Sequence, residues 1–299
     1  MAETKIALLP DRGVVTVTGP DAAKLLQGII TNDVALLDRA TAIHGGLLSP
    51  QGKILFDFFV VKTADGFCLE TARNSAQSLS ERLRAYKLRA NADIADASAD
   101  YSVAAAWGGA YEPRGRGGQP ICFVDPRLPE LGYRELMTMR SDWALAGEAA
   151  DSATADEYHA HRIALGVPEA GKDFVLGDTY PHEALYDQLN GVSFAKGCYV
   201  GQEVVSRMQH RATARKRIVQ VAANAPLPEP GTPVLAGGAE IGRLGSTAGT
   251  TGLALIRLDR AAEAKSNGES LSAGDVAIEL RLPAFARFPL DPGSGGAPA

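Results

Sequence analysis

The sequence predicts an α+β protein, with an α/β body up to about residue 220 and an all-β module from about 225 to 288. Three observations carry this. Strand-like and helix-like apolar periods alternate through the body. A proline-rich stretch, "PLPEPGTPV", then interrupts the pattern. Short apolar runs at close spacing follow it, the rhythm of a small antiparallel barrel or sandwich.

The first element pair is "GVVTVTGPDAAKLLQGII", which predicts a strand, a turn at Gly19-Pro20 and a helix. Leu25, Leu26, Ile29 and Ile30 make one apolar face, and Asp21 is placed to favour the helix N-terminus. "GKILFDFFVVKTADGFCLE" predicts a β-hairpin turning at Ala64-Asp65-Gly66. A helix follows around "AQSLSERLRAYKL", where Leu79, Leu83 and Tyr86 recur at helical spacing. "YSVAAAW", "ICFV" and "YRELMTM" are shorter strands. "GGAYEPRGRGGQP" is a surface loop, because no strand feeds its glycines and no helix leaves them. "SATADEYHAHRIALG" is a helix stopped by Gly166, with Pro168 beyond. In the second module, "TPVLAGG", "EIGRLGST", "TGLALIRL" and "VAIELRL" are strands, and 289–299 is a disordered tail by composition.

The bulk properties exclude several classes. A chain of 299 residues suggests about two domains and is long enough to bury a core unaided. Its net charge of −5 exerts no global pull toward nucleic acid or anionic lipid. The start, "MAETKIALLPDRG", lacks the apolar core of a secretory signal. The greasiest stretch, "ILFDFFVV", is far too short to span a bilayer and carries Asp57. A cytoplasmic protein is expected. Cys68, Cys122 and Cys198 spell neither a disulfide framework nor a CxxC knuckle, so no metal site built by this chain alone is expected.

One short stretch concentrates unusual chemistry. "KGCYVGQE" sets Cys198 between glycines, beside Lys196 and just before the helix-like "GQEVVSRMQHRA". A helix N-terminus and a nearby cation both favour a thiolate, and flanking glycines such as Gly197 let a ligand approach the backbone. The alternative is a small hydrophobe packed in a turn. Upstream, "YPHEALYDQL" supplies Glu183, a carboxylate suited to a ligand offering two parallel N–H donors. On spacing alone the favoured reading is a helix-start residue solvated at the surface.

"KGCYVGQE" resembles the K-G-C-[FY]-x-G-Q-E motif of the YgfZ family of folate-binding iron–sulfur proteins. "GPDAAKLLQGIITNDV", "LLSPQGKILFDFFV", "RIALGVPE", "YPHEALYDQL" and "GQEVVSRMQHR" follow in that family's order and spacing. The family is related to the glycine cleavage T-protein, an aminomethyltransferase. The resemblance implies a T-protein-like three-domain ring, with residues 1–220 as two intertwined α/β subdomains split near 46–145, followed by an antiparallel β-barrel. It implies a tetrahydrofolate cofactor, with Glu183 in the place of the glutamate that binds the pterin. Asp57, Tyr180, Gly197 and Arg207 join it as cofactor contacts, and Cys198 and Lys196 are the working thiol and its tuner. The implied partners are iron–sulfur assembly or client proteins.

The T-protein pattern G-G-x-x-D-D survives only in part: Phe56 stands at its first acid and Asp57 remains. That departure argues against methylamine transfer. The runner-up is nonetheless a folate-dependent aminomethyltransferase using Asp57, which faces a channel or is a strand-edge charge. Finally, Arg207, Arg211, Arg215, Lys216 and Arg217 lie in an acid-free run, Val204–Pro228. It is an anchor for a folate polyglutamate tail, an acidic-partner surface, or a solvated face. Without interleaved aromatics it is a poor RNA reader.

Overall fold

The computed structural model describes residues 3–109, 111, 121–138, 151–211 and 214–291. The chain forms two compact units. The first takes the chain up to Tyr158 together with Leu189–Gln202; the second takes His159–Gln188 and everything from Glu203.

In the first unit the elements run β1 (Lys5–Leu8), β2 (Arg12–Thr18), α1 (Ala22–Ile29), β3 (Ala42–Leu48), β4 (Ile54–Lys62), β5 (Gly66–Ala72), α2 (Arg73–Lys87) and β6 (Asp93–Asp96). β7 (Tyr101–Trp107), β8 (Ile121–Val124), β9 (Tyr133–Thr138) and β10 (Asp151–Ser152) follow. They build two five-stranded sheets, ordered β3-β4-β5-β2-β6 and β10-β1-β7-β9-β8. β4 shows why "ILFDFFVV" is apolar throughout. Phe56, Phe58 and Val60 face the core under α1 and α2, while Phe59 and Val61 face a second core shared with the other sheet. A strand buried on both faces needs no polar alternation. The two sheets part between Asp96 and Tyr101: β1 starts in one sheet, and the chain then builds the other whole before returning.

α3 (Ala155–Leu165) ends at Gly166, whose φ of 80° only glycine takes readily. The second unit holds most of α4 (Gln202–Arg211), then β11 (Lys216–Ala223), β12 (Pro233–Ala236), β13 (Ala239–Ala248) and β14 (Thr251–Arg257). α5 (Leu258–Ser266), β15 (Leu271–Ala273) and β16 (Val276–Arg281) complete it. The six strands close an antiparallel barrel, β11-β14-β13-β12-β15-β16.

The α+β class and the terminal barrel stand as expected. Three details differ. The barrel begins at Lys216, since β11 pairs with both β14 and β16. The proline-rich stretch is therefore a loop inside the barrel, where Leu227 N donates to Gly249 O at 2.9 Å. Asp21 stands at the start of α1 as expected, but its side chain makes no capping hydrogen bond; its Oδ2 accepts from Asn91 N at 2.7 Å. The glycine-rich loop lies largely, and the tail mostly, outside the described residues.

Candidate functional site

The thiol loop belongs to the first unit. Its entry is stapled twice: Ser193 N donates to Thr31 O at 3.0 Å, and Thr31 Oγ1 donates to Gly191 O at 2.6 Å. Lys196 then turns inward. Its Nζ donates to the carbonyls of Gln27 at 2.8 Å, Ile30 at 2.7 Å and Asn32 at 2.8 Å. Burial pushes its pKa down to about 8, opposed by Asp33. The ammonium also sits 5.2 Å from the ring centre of buried Tyr199. Tyr199 N donates to Gln202 Oε1 at 3.2 Å while Gln202 N donates to Tyr199 O at 3.3 Å, a reciprocal cap like a capping box. At Gly201 the φ is 84°, and a Cβ would fall 2.6 Å from Ser49 O. Glycine is the residue that lets the loop lie against that turn. Between these attachments Gly197 and Cys198 are exposed.

The other two cysteines differ. Cys68 is buried and Cys122 half-buried. Burial pushes both thiols up, Cys122 to about 12 with help from Glu135.

Asp57 is not a strand-edge charge. It is 9% exposed on β4, and its Oδ1 lies 2.9 Å from His44 Nε2. His44, 3% exposed on β3, points its Nδ1 at Leu189 O, 2.9 Å away. Both ring nitrogens therefore face oxygen acceptors. Thr71 Oγ1 donates to the Asp57 carbonyl at 2.8 Å, and the His44 ring stands edge-on to Phe59. Sequence reasoning missed His44, whose strand "AIHGGLL" has no alternation to mark it; its register opposite "LFDFF" is the signal that could have found it.

Glu183 and Tyr180 belong to the second unit. Tyr180 N donates to Glu183 Oε2 at 2.9 Å, and Ile218 N of β11 donates to Glu183 O at 3.0 Å. Leu185 just beyond has a φ of 63°, a left-handed conformation that leucine rarely takes. His182 Nε2 lies 3.0 Å from Gln209 Oε1 on α4, and burial keeps that imidazole below its usual pKa. Arg217 Nη1 donates to His182 O at 3.0 Å and to Asp187 Oδ1 at 2.7 Å, with its guanidinium over Phe288. The "PHEA" turn is thus held from both α4 and β11.

These bonds break up the basic run. Arg217 is buried and ion-paired, so it is no part of an exposed face. Arg207, Arg215 and Lys216 are exposed; the Arg211 side chain lies outside the described residues.

Residues 11–111 match the GCVT N-terminal domain family, and residues 215–288 match the CAF17 C-terminal beta-barrel domain. The human "Iron-sulfur cluster assembly factor IBA57, mitochondrial" is 33% identical over 275 residues, covering 83% of this chain and 76% of the relative. The chain belongs to the IBA57 family.

A homologue of IBA57 from Mycosarcoma maydis is 37% identical over 230 residues, or 72% of this chain and 56% of that protein. The chain spans little more than half the length of the first such fungal relatives. The glycine cleavage system aminomethyltransferase T from Bartonella henselae superimposes with a TM-score of 0.74, covering 95% of this chain and 87% of that one. At 16% identity this shows the fold alone, a GcvT-like one. The resemblance to YgfZ-type proteins thereby resolves into a related family, IBA57. The expectation of a cytoplasmic protein is overturned: the human, mouse and fungal IBA57 relatives are named mitochondrial. Among the described residues no helix is long and apolar enough to cross a membrane.

Proposed function

We propose that this IBA57-family protein is an accessory factor in assembling or repairing iron–sulfur proteins, that it binds a tetrahydrofolate, and that Cys198 is its working thiol. The observation that carries the reading is the contrast among the thiols: Cys198 is exposed on a stapled loop, while Cys68 is buried and Cys122 half-buried. One cysteine cannot hold a cluster that takes four ligands. An assembly or client protein must supply the rest.

Glu183 is the pterin anchor in this reading. Its bond to Tyr180 N orients the carboxylate, and the charge suits a ligand edge with paired N–H donors. Tyr180 and exposed Arg207 are further contacts, the last toward a polyglutamate tail. The transferase alternative is the weaker one. It asks Asp57 for an acid beside the folate, yet Asp57 Oδ1 is engaged by His44 in a buried pair.

The test is replacement of Cys198 by serine in cells depleted of the wild-type protein, at matched abundance. The Cys198→Ser protein should fold and bind tetrahydrofolate but leave iron–sulfur enzymes short of cluster and activity. Full restoration of those enzymes would refute the assignment of the thiol.

A further inference from the structure

Lys196 sits two residues from Cys198, which invites the view that its charge tunes the thiol. The geometry says otherwise. An ammonium has three N–H donors, and three carbonyl oxygens lie at hydrogen-bond distance from Lys196 Nζ, at 2.7–2.8 Å. Two of those carbonyls, Gln27 and Ile30, belong to the end of α1. A helix leaves its last carbonyls without partners, and its C-terminal pole favours a cation. Lys196 meets both needs at once. The Lys196 backbone is fixed too, since its N donates to Ser193 Oγ at 3.2 Å. The neighbouring Tyr199 is buried, whereas Cys198 itself is exposed.

We infer that Lys196 is a positioning residue: a three-point clamp that locks the thiol loop to the C-terminal end of α1 and so presents Cys198 outward. This rests on the reading of Cys198 as the working thiol, but it fails or survives separately. Arginine cannot replace such a clamp. Its planar fork spreads its donors in a fixed plane, whereas three convergent carbonyls need a compact, rotatable ammonium. A charge tuner, by contrast, works equally well as arginine.

The experiment compares the full-length wild type with Lys196→Arg and Lys196→Met. Amide hydrogen exchange is followed over residues 193–199, and alkylation of Cys198 by iodoacetamide is followed against pH. Both variants should exchange faster in that segment by about tenfold or more, the factor one charged hydrogen bond carries. The alkylation midpoint should stay put in both. Unchanged exchange in either variant overturns the clamp. So does a midpoint that rises in Lys196→Met and returns in Lys196→Arg. If the variants do not fold, the wild type decides: acetic anhydride should acetylate Lys196 far more slowly than exposed Lys62, and equal rates overturn the proposal.

Discussion

Three thiols in one chain meet three environments, and reactivity follows from them because the thiolate is the nucleophile. Burial pushes Cys68 up, and pushes Cys122 up to about 12. At pH 8 both are protonated in the native protein. Iodoacetamide at that pH should therefore modify Cys198 first, with Cys68 and Cys122 following only in denaturant. Peptide mass spectrometry reads this directly, and equal native labelling of all three would contradict it. The sign for stability follows as well. The unfolded thiol releases its proton near 9.0 while native Cys122 keeps it to about 12. Stability is thus lost as pH rises through that window, and Cys122→Ala should lose less of it. For Glu183, glutamine would turn an N–H donor toward N–H donors and remove a charge. Tetrahydrofolate affinity, measured by calorimetry, should fall about ten- to hundredfold, or roughly 1.5–3 kcal/mol. Cys198 and Glu183 stand in short motifs, so the sequence alone singles them out as candidates. The task of Lys196 was not legible, since its acceptors lie 164 to 169 residues earlier in the chain. His44 was hidden in the same way, its Nδ1 partner being 145 residues away.

Elements with their own periodicity were legible, and those defined by distant partners were not. α1, the β4–β5 hairpin and α2 each carry an apolar pattern that survives into the fold. β3 has two glycines and no alternation, so only its pairing with β4 makes it a strand. Asp21 does stand at the N-terminus of α1, but its carboxylate bonds Asn91, 70 residues on, a partner that no local pattern announces. The turn into α4 was half legible. Gly201 opens the helix-like run, but its contact with the Ser49–Gly52 turn is tertiary. A methyl there would collide with backbone, and the φ of 84° would be strained for any other residue. Gly201→Ala should cost about 1–3 kcal/mol, seen as a lower urea midpoint at unchanged slope. A variant as stable as the wild type would mean that the loop does not hold this turn.

At the scale of the molecule, the barrel shows what a linear reading can and cannot deliver. Its strands were visible by rhythm, but proline suggested a linker where the chain is only crossing one end of the barrel. The linear pattern therefore places β11 with the body, although it is the strand that closes the ring between β14 and β16. A likeness of fold at 16% identity to aminomethyltransferase T makes the same point, because the fold persists where residue identity does not. The second unit adds a polar centre that no pattern announces. Arg162, 0% exposed on α3, donates to Asp173 Oδ2 at 2.6 Å, Val167 O at 3.1 Å and Ser246 Oγ at 2.6 Å. Asp173 in turn accepts from Glu169 N at 2.8 Å and Ser246 N at 2.7 Å. One ion pair thereby joins α3, the segment after it and barrel strand β13. Removing one member strands the other charge away from water, which costs about 3–5 kcal/mol. Arg162→Met should lower stability by that amount in urea unfolding followed by circular dichroism. Arg162→Met combined with Asp173→Leu should recover part of the loss, since Glu169, the other buried carboxylate beside Arg162, keeps Lys172 Nζ at 3.5 Å. If the double variant is less stable than the wild type by the full sum of the two single changes, the pair is not the unit that ties α3 to the barrel.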